Sequence, residues 1–290
     1  MKIIPGPASK QLGEQVAEIL GVDTVPLIFK THPDGESYVR IEGTVQDEKV
    51  VIVQTTSPPQ DTRLIQLALI ADAAKRHGAK KIAVVVPYLA YARQDKVFLQ
   101  GEAVSIEAVA KVLKAVGVDS LTTVNVHQKN VLTKFPFPAK TVSAISVLAE
   151  YFKQKVFDQV FALAPDDGAL WLAEEAKTVL GGECGYLEKH RDPHTGQITM
   201  EKKPLGVGGK TVIIFDDVIS TGGTIALAAK IVKELGADKV YAACVHPLLI
   251  GDAEKRILEA GVEEIVGTDT VPSRMSKVSV APLLSRELTR

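Results

Sequence analysis

The sequence predicts an α/β fold built from two similar domains, each a mainly parallel sheet flanked by helices. Short runs rich in Val and Ile alternate with longer helical patterns along all 290 residues. Strands that read as continuous apolar runs are buried on both faces, which is typical of parallel strands covered by crossover helices. Strands are predicted at 2–4, 50–54, 82–86, 121–125, 160–164, 211–215 and 240–245. Helices are predicted between them, at 9–20, 62–77, 104–115, 143–153, 168–179, 223–235 and 252–260.

Two segments of the chain read alike, residues 49–87 and residues 210–247. Each runs through a Lys, an apolar strand, a polar turn, an Ala-rich helix, the pattern Gly-Ala-x-Lys and a second strand. Repetition of one supersecondary unit indicates two similar halves, so domains are predicted at 1–145 and 146–290. Chance similarity between two βαβ units is the alternative. Only the second copy carries an acidic pair and a Gly-Gly turn, so the halves are expected to serve different roles.

The composition limits the functional classes to which the protein can belong. The formal net charge is −1, with 46% hydrophobic and 24% charged residues, which favours an ordinary globular chain and argues against a surface for nucleic acid. No apolar run reaches the length of a membrane span, and the N-terminus lacks the hydrophobic core of a signal peptide. Cys184 and Cys244 stand in no metal-binding spacing and suit a reducing compartment. The expectation is a cytoplasmic protein with neither nucleic acid nor a membrane as its partner.

The stretch FDDVISTGGT, residues 215–224, follows a predicted buried strand and leads into a helix. Ligands of open α/β sheets bind at such a place. Two adjacent carboxylates, Asp216 and Asp217, accept hydrogen bonds from vicinal hydroxyls or hold a divalent cation. The glycines and hydroxyls that follow, together with the helix N-terminus, form a phosphate cradle made of Ser220, Thr221, Gly222, Gly223 and Thr224. The pattern predicts a site for a sugar phosphate such as ribose 5-phosphate; the alternative is a helix-capping turn with two solvated aspartates.

With its apolar run, this stretch resembles the phosphoribosyl-pyrophosphate motif of type I phosphoribosyltransferases and of ribose-phosphate pyrophosphokinases. The segment PYLAYARQDK, residues 87–96, separates the two groups. It is similar to the YARQDR segment of the pyrophosphokinases, which forms part of their ATP site and which phosphoribosyltransferases lack. The guanidinium of Arg93 also suits phosphate oxygens. The resemblance implies two domains of the type I phosphoribosyltransferase fold and ATP-binding roles for Arg93, Gln94, Asp95 and Lys96; a solvated charged loop is the alternative.

The segment HPDGESYVR, residues 32–40, is a Pro-Asp-Gly turn that opens into a strand, and a plain hairpin turn would explain it. It also resembles the F-x-DGE stretch of the pyrophosphokinases, whose acidic residues reach ATP in a neighbouring subunit's site. Asp34 and Glu36 match that stretch. His32 stands where the family usually has the aromatic residue that stacks on adenine. The resemblance therefore implies a homo-oligomer whose ATP site is shared between subunits.

The resemblance implies that two further residues contact a metal or the phosphates bound to it. His127 matches the histidine of the family's Asp-Leu-His element, which contacts the metal-bound triphosphate, although Asn125 replaces the aspartate. Asp166 matches the Pro-Asp element, which supplies a metal-linked carboxylate. A lone structural histidine and a helix-capping aspartate are the alternatives. The metal implied by the resemblance is Mg²⁺.

The segment YLEKHRDPHTGQ, residues 186–197, is polar and reads as a loop between strands. Lys189 and Arg191 lie two positions apart, so in an extended segment both side chains would point the same way. A surface charge cluster is the default interpretation. The pair also matches, in order and location, the Lys-x-Arg pair on the catalytic loop of the pyrophosphokinases, which closes over the transferring phosphates.

The resemblance implies an enzyme, a ribose-phosphate diphosphokinase. It would transfer the β,γ-diphosphoryl group of ATP to the 1-hydroxyl of ribose 5-phosphate, giving phosphoribosyl pyrophosphate and AMP. Residues 1–145 would contribute to the ATP site, and residues 146–290 would carry the ribose 5-phosphate site and the catalytic loop. Two alternatives stay open: a type I phosphoribosyltransferase, and a non-catalytic relative that regulates a partner enzyme.

Overall fold

The computed structural model describes residues 1–191, 198–201 and 205–289, with the side chains of 189–191 and 198–201 outside the described part. The strands are β1 (Lys2–Pro5), β2 (Leu27–Thr31), β3 (Ser37–Ile41), β4 (Lys49–Val53), β5 (Lys81–Val86), β6 (Ser120–Val124), β7 (Ala139–Val142), β8 (Val160–Ala164), β9 (Glu183–Tyr186), β10 (Glu188–Arg191), β11 (Ile198–Glu201), β12 (Thr211–Ile219), β13 (Lys239–Pro247), β14 (Glu264–Thr268) and β15 (Ser276–Val278). The helices are α1 (Lys10–Leu20), α2 (Gln60–Arg76), α3 (Ser105–Ala115), α4 (Ile145–Lys153), α5 (Leu170–Leu180), α6 (Gly223–Glu234), α7 (Ala253–Glu259) and α8 (Ala281–Thr289). Short 3₁₀ turns occupy Lys129–Lys134 and Asp167–Ala169.

The chain divides into two compact units. Unit 1 comprises Met1–Ser143, Thr270–Pro272 and Ser279–Arg290, and unit 2 comprises Ala144–Asp269 and Ser273–Val278. The chain therefore leaves unit 1 twice, after 143 and after 272, and its last helix belongs to unit 1. There α8 packs against α1, and Ser279 Oγ donates a hydrogen bond to Gln15 Oε1 at 3.1 Å.

Unit 1 is built on a five-stranded sheet in the order β1-β4-β5-β6-β7, with every neighbouring pair parallel. The four residues of β4 from Val50 to Val53 are fully buried. Aliphatic residues of α2 and α3 cover this sheet and complete one core. A separate antiparallel hairpin, β2–β3, packs against α2. This burial on both faces explains why the central strands read as unbroken apolar runs.

Unit 2 is built on a six-stranded parallel sheet in the order β15-β14-β13-β12-β8-β9. Its core joins the central strands to α6 and α7 through residues that include Val212, Ile214 and Ile257. The hairpin β10–β11 is antiparallel and stands as a sheet of its own. The α/β fold with parallel sheets flanked by helices, predicted from the sequence, is confirmed.

The repeated segments form corresponding elements. In unit 1, β4, α2 and β5 make a βαβ unit with adjacent parallel strands, and β12, α6 and β13 do the same in unit 2. Strand β12 is longer than predicted: the sequence placed its end at 215, but the strand continues to Ile219. No helix in the described part of the chain is both long and apolar enough to cross a membrane.

Candidate active site

Three carboxylates meet at the carboxyl edge of the unit 2 sheet. Asp166 lies two residues after the end of β8, while Asp216 and Asp217 lie in the last part of β12. The two strands are parallel neighbours, with Leu163 opposite Ile214, so their carboxyl ends lie side by side. The sequence had placed the acidic pair after the strand; instead β12 continues through it, because β13 supplies pairing partners beyond 215.

Asp216 lies at the centre of this acidic cluster. Asp216 is partly buried, and its Oδ1 accepts a hydrogen bond from the Asp217 main-chain N–H at 2.8 Å. Burial raises the pKa of Asp216 well above its usual range, and the charges of Asp217 and Asp166 raise it further. Asp166 has a structural role as well, since its Oδ1 accepts from the Ala169 N–H at 3.1 Å at the start of a 3₁₀ turn. The capping interpretation of Asp166 is therefore correct.

Cys244 on β13 contacts the main chain of β12 beside the acidic pair, which the sequence did not suggest. It is the register partner of Asp216 and is fully buried. Its Sγ accepts a hydrogen bond from the Ile219 N–H at 3.1 Å. Burial raises the pKa of the Cys244 thiol well above its usual value, and the nearby carboxylate of Asp216 adds to the rise. The thiol thus stays protonated and accepts a hydrogen bond from the main chain of β12. The only sequence signal was the position of Cys244 inside a predicted strand.

Main-chain contacts fix the turn that follows β12. Ser220 O accepts from the Ile250 N–H at 2.9 Å, and Thr221 O accepts from Arg256 Nη1 at 2.6 Å. Gly222 has a φ of 75°, and a Cβ there would lie 2.9 Å from the carbonyl oxygen of Ala253. Glycine is therefore required at this position by both backbone conformation and space.

The outer side of the same turn is open. A Cβ built on Gly223 would meet no atom within 4 Å. Gly222 stands at the N-cap of α6 and has no side chain to accept from the first N–H groups of the helix. Thr221 is exposed, and Ser220 and Thr224 are half-buried. A rigid turn with free N–H groups and hydroxyls is the arrangement that binds a phosphate.

In unit 1, the three residues His32, Asp34 and Glu36 lie together in the exposed turn between β2 and β3. The His32 N–H donates to Glu36 O at 2.8 Å, and the Glu36 N–H donates to Asp34 Oδ1 at 3.1 Å. The ring of His32 meets the ring of Tyr38 edge-on, with 6.1 Å between centroids. The hairpin turn is therefore ordered by its own polar groups, and the carboxylate of Glu36 projects from an exposed residue.

The segment after β5 is a turn in which Arg93 and Lys96 are exposed, while Gln94 and Asp95 are half-buried. Gln94 Nε2 donates to Lys96 O at 3.3 Å and to Glu102 Oε2 at 3.4 Å. The amide of Gln94 thus holds its own loop, a role that the sequence did not indicate.

Two neighbours of this segment fix it further. Asp95 Oδ2 accepts from Asn130 Nδ2 at 3.2 Å. Glu102 Oε2 accepts from the N–H groups of Phe98 and Leu99 at 2.8 and 2.9 Å. Hydrogen bonds with Asn130 and with Glu102 therefore fix the loop that carries the guanidinium of Arg93.

His127 is exposed just beyond β6. Before it, Asn125 is buried with a φ of 36°, and its N–H donates to Val142 O at 2.9 Å. His127 belongs to unit 1 and Asp166 to unit 2. Among the residues that the structure describes, no three His, Cys, Asp or Glu side chains are grouped so as to hold a metal ion.

Lys189 and Arg191 belong to β10, where they pair with Met200 and Ile198 of β11. The main chain at both positions is extended. Their side chains, and residues 192–197 of the predicted loop, lie outside the described part of the chain. The catalytic role of the pair stays a prediction.

Comparison with known proteins decides the family. Residues 1–117 match the family model described as the N-terminal domain of ribose phosphate pyrophosphokinase, and residues 189–285 match the one described as the phosphoribosyl synthetase-associated domain. The ribose-phosphate pyrophosphokinase of Saccharolobus solfataricus is 42% identical over 272 residues, which is 93% of each chain. The chain belongs to the ribose-phosphate pyrophosphokinase family. The enzyme of that name from Methanobrevibacter smithii is 40% identical over 299 residues and 99% of each chain.

A solved structure agrees with this ribose-phosphate pyrophosphokinase assignment. Phosphoribosylpyrophosphate synthetase from Mycobacterium smegmatis superposes with a TM-score of 0.88 at 30% identity, over 99% of this chain and 97% of that one. The family, the fold and the enzyme class predicted from the sequence are confirmed.

Proposed function

We propose that the protein transfers the β,γ-diphosphoryl group of ATP to the 1-hydroxyl of ribose 5-phosphate, releasing AMP and phosphoribosyl pyrophosphate. The observation that carries the proposal is the carboxyl edge of the unit 2 sheet. There an open, glycine-containing turn at the start of α6 follows directly on the acidic pair of β12. The turn suits a phosphate monoester, and the acidic pair suits two vicinal hydroxyls.

In the proposed complex, the turn from Ser220 to Thr224 holds the 5-phosphate, using main-chain N–H groups, hydroxyls and the positive end of α6. The carboxylates of Asp216 and Asp217 accept from the ribose hydroxyls, and this orients the 1-hydroxyl. Rigid placement of the acceptor matters because in-line phosphoryl transfer depends on positioning and charge neutralisation more than on covalent chemistry.

The donor set also suits Mg²⁺, the metal that we propose. Carboxylate oxygens are its usual protein ligands, and it commonly binds through one or two carboxylates together with substrate phosphates. Asp166, Asp216 and Asp217 offer such oxygens, and Asp216 is partly buried beside the other two. We propose that Asp166, with His127 toward the triphosphate, holds the metal. Bound there, Mg²⁺ would neutralise phosphate charge.

For ATP, we propose that His32, Asp34 and Glu36 contact the adenosine and that the turn from Arg93 to Lys96 contacts the nucleotide and its phosphates. The hairpin turn is exposed and ordered by its own hydrogen bonds, which suits a segment that reaches into another subunit's site. A homo-oligomer with a shared ATP site is accordingly part of the proposal. Lys189 and Arg191 would supply positive charge to the transferring diphosphoryl group. Two free thiols fit a reducing compartment, and we propose the cytoplasm.

The decisive experiment follows AMP formed from ATP and Mg²⁺, with and without ribose 5-phosphate. Asp166→Asn and Lys189→Ala are compared with Asp158→Asn, which changes an exposed residue before the amino end of the same strand, β8. The expected result is AMP formation that needs the sugar, that falls in the first two variants and that persists in the control. Absence of AMP while ribose 5-phosphate still binds would contradict the proposal and favour a transferase or a regulatory protein.

A further inference from the structure

A second polar cleft lies in unit 1, at the amino ends of the sheet strands. It has a volume of about 460 Å³ and is lined by Lys49, Lys80, Lys81 and Asp119. Lys49 begins β4, Lys81 begins β5, and Asp119 immediately precedes β6. The carboxyl ends of these strands lead to the candidate ATP-binding segments, so this cleft lies at the opposite edge of the same sheet.

The three lysines carry uncompensated charge. Lys49 and Lys81 are direct register partners on neighbouring parallel strands, and like charges directly opposite each other destabilise a strand pair. Among the residues that the structure describes, none of the three ammonium groups has a hydrogen bond or an ion pair. The nearest acid in sequence, Glu48, accepts instead from the N-terminal ammonium at 3.1 Å. Asp119 Oδ2 accepts from the Ile82 N–H at 2.8 Å.

The internal repeat supplies a comparison within the same chain. The corresponding edge of unit 2 carries two lysines and two acids, where unit 1 has three lysines and two acids. Matched by strand register and main-chain hydrogen bonds, the pairs are Glu48 and Lys210, Lys49 and Thr211, Lys80 and Asp238, Lys81 and Lys239, and Asp119 and Glu263. In unit 2, Lys210 forms an ion pair with Glu183. Lysines at 49 and 80 in place of Thr211 and Asp238 therefore make the unit 1 edge the more cationic one, even with Glu48 in place of Lys210.

We propose that this cleft binds a small phosphate-bearing anion. Lysine ammonium groups are point charges that bind phosphate oxygens from several directions, and three of them around an open cleft can surround one dianion. Bound phosphate would remove the repulsion between Lys49 and Lys81. The site is separate from the 5-phosphate turn, which belongs to unit 2, and it does not depend on the proposed function.

The test uses the full-length protein labelled with ¹⁵N-lysine and titrated with inorganic phosphate at constant ionic strength, with chloride as the compensating salt. The main-chain N–H groups of Lys80 and Lys81 report the cleft directly, since both donate to Glu48 O. A second sample labelled with ¹⁵N-glycine reports Gly222 and Gly223, and so separates binding at the turn after β12. Diphosphate, in a parallel titration, shows whether a second phosphoryl group strengthens binding.

Three variants set the outcome. Lys80→Asp places at 80 the acid that unit 2 has at 238, and about tenfold weaker phosphate binding at the lysine signals is expected from the loss of one ion pair and the gain of one repulsion. Lys10→Asp, an equal charge change on the exposed start of α1, should titrate like the unchanged protein. Asp238→Lys should create a response at the Lys239 N–H. The proposal is wrong if the Lys80 and Lys81 signals respond equally to chloride, or if Lys80→Asp titrates like the unchanged protein.

Discussion

The main chain of Asp217 is hydrogen-bonded to the side chain of Asp216: the Asp217 N–H donates to Asp216 Oδ1 at 2.8 Å. The main chain therefore holds the Asp216 carboxylate beside a second acid. Burial, with the charges of Asp217 and Asp166, holds its pKa well above the usual value. A folded state that keeps this proton longer than the unfolded chain loses stability as pH rises above the unfolded pKa near 3.8.

Asp216→Asn is expected to raise the free energy of unfolding at neutral pH while removing activity. Asparagine keeps an oxygen for the Asp217 N–H but carries no charge, so the repulsion disappears. The free energy of unfolding is measured with urea between pH 4 and pH 8, in steps of about one pH unit. It should fall with rising pH less steeply in the variant than in the unchanged protein. A variant that is less stable than the unchanged protein throughout would show that the charge is compensated in the folded chain.

Gly222→Ala should destabilise unit 2 by about 1–3 kcal/mol, because alanine at a positive φ is strained and its methyl group would meet the Ala253 carbonyl. Gly223→Ala is the matched control for stability, since space there is open. Its methyl group would instead occupy the side from which a phosphate approaches. Urea midpoints and ribose 5-phosphate titration should therefore separate the two variants, with Gly223→Ala stable and weak in binding. Equal binding by Gly223→Ala and the unchanged protein would place the phosphate elsewhere.

Cys244→Ala removes the acceptor of the Ile219 N–H and leaves a buried donor unpaired, which costs about 1–3 kcal/mol. Cys244→Ser keeps an acceptor of similar size and should recover most of that loss. If Cys244 supports the acidic pair, kcat should fall with alanine and return with serine, while the KM for ATP stays constant. Identical kcat values in both variants would restrict Cys244 to packing.

Arg256 is exposed, and its guanidinium donates to Thr221 O at 2.6 Å. Loss of this bond in Arg256→Ala should loosen the turn and raise the KM for ribose 5-phosphate by about fivefold, the equivalent of one hydrogen bond. Lys255→Ala is the control, because Lys255 reaches only Glu259 at 3.9 Å on the same helix. Steady-state kinetics with ribose 5-phosphate as the varied substrate checks the difference, and equal KM values in the two variants would contradict it.

Glu102 holds the loop that follows the proposed ATP segment. The N–H groups of Leu99 and Phe98 lower the pKa of its carboxyl, so the stabilisation is present above the unfolded pKa and is lost as pH falls through the folded one. Glu102→Ala should raise the KM for ATP and leave the KM for ribose 5-phosphate unchanged. Glu18→Ala, on the exposed side of α1, serves as the control. A rise in both KM values would indicate general loosening of the fold.

Much of the sheet could be predicted because its strands are buried on both faces and read as unbroken apolar runs. The edge strands β7 and β15 have no fully buried residue, so their sequences carry no such signal. The helix α8 was not predicted either. It is short, and of its three buried residues, Ala281, Leu284 and Ser285, only two are apolar.

The candidate site could be predicted where one short segment supplies all its residues, as in the turn from Ser220 to Thr224. It could not be predicted where partners come from distant elements. The contacts of Cys244 with β12 and of Arg256 with Thr221 depend on strand register and helix placement, which no local pattern encodes. The extension of β12 through two aspartates also runs against their low strand preference, and pairing with β13 outweighs that preference.

The return of α8 to the first helix has a consequence for how the polypeptide is made. Ribosomes release a chain from its N-terminus at about 5–20 residues per second, and domains usually fold in that order. Here the partner of α1 is synthesised after all of unit 2. Unit 1 therefore starts before unit 2 and is completed after it, and α1 waits through the synthesis of more than 250 intervening residues with its α8-facing side uncovered.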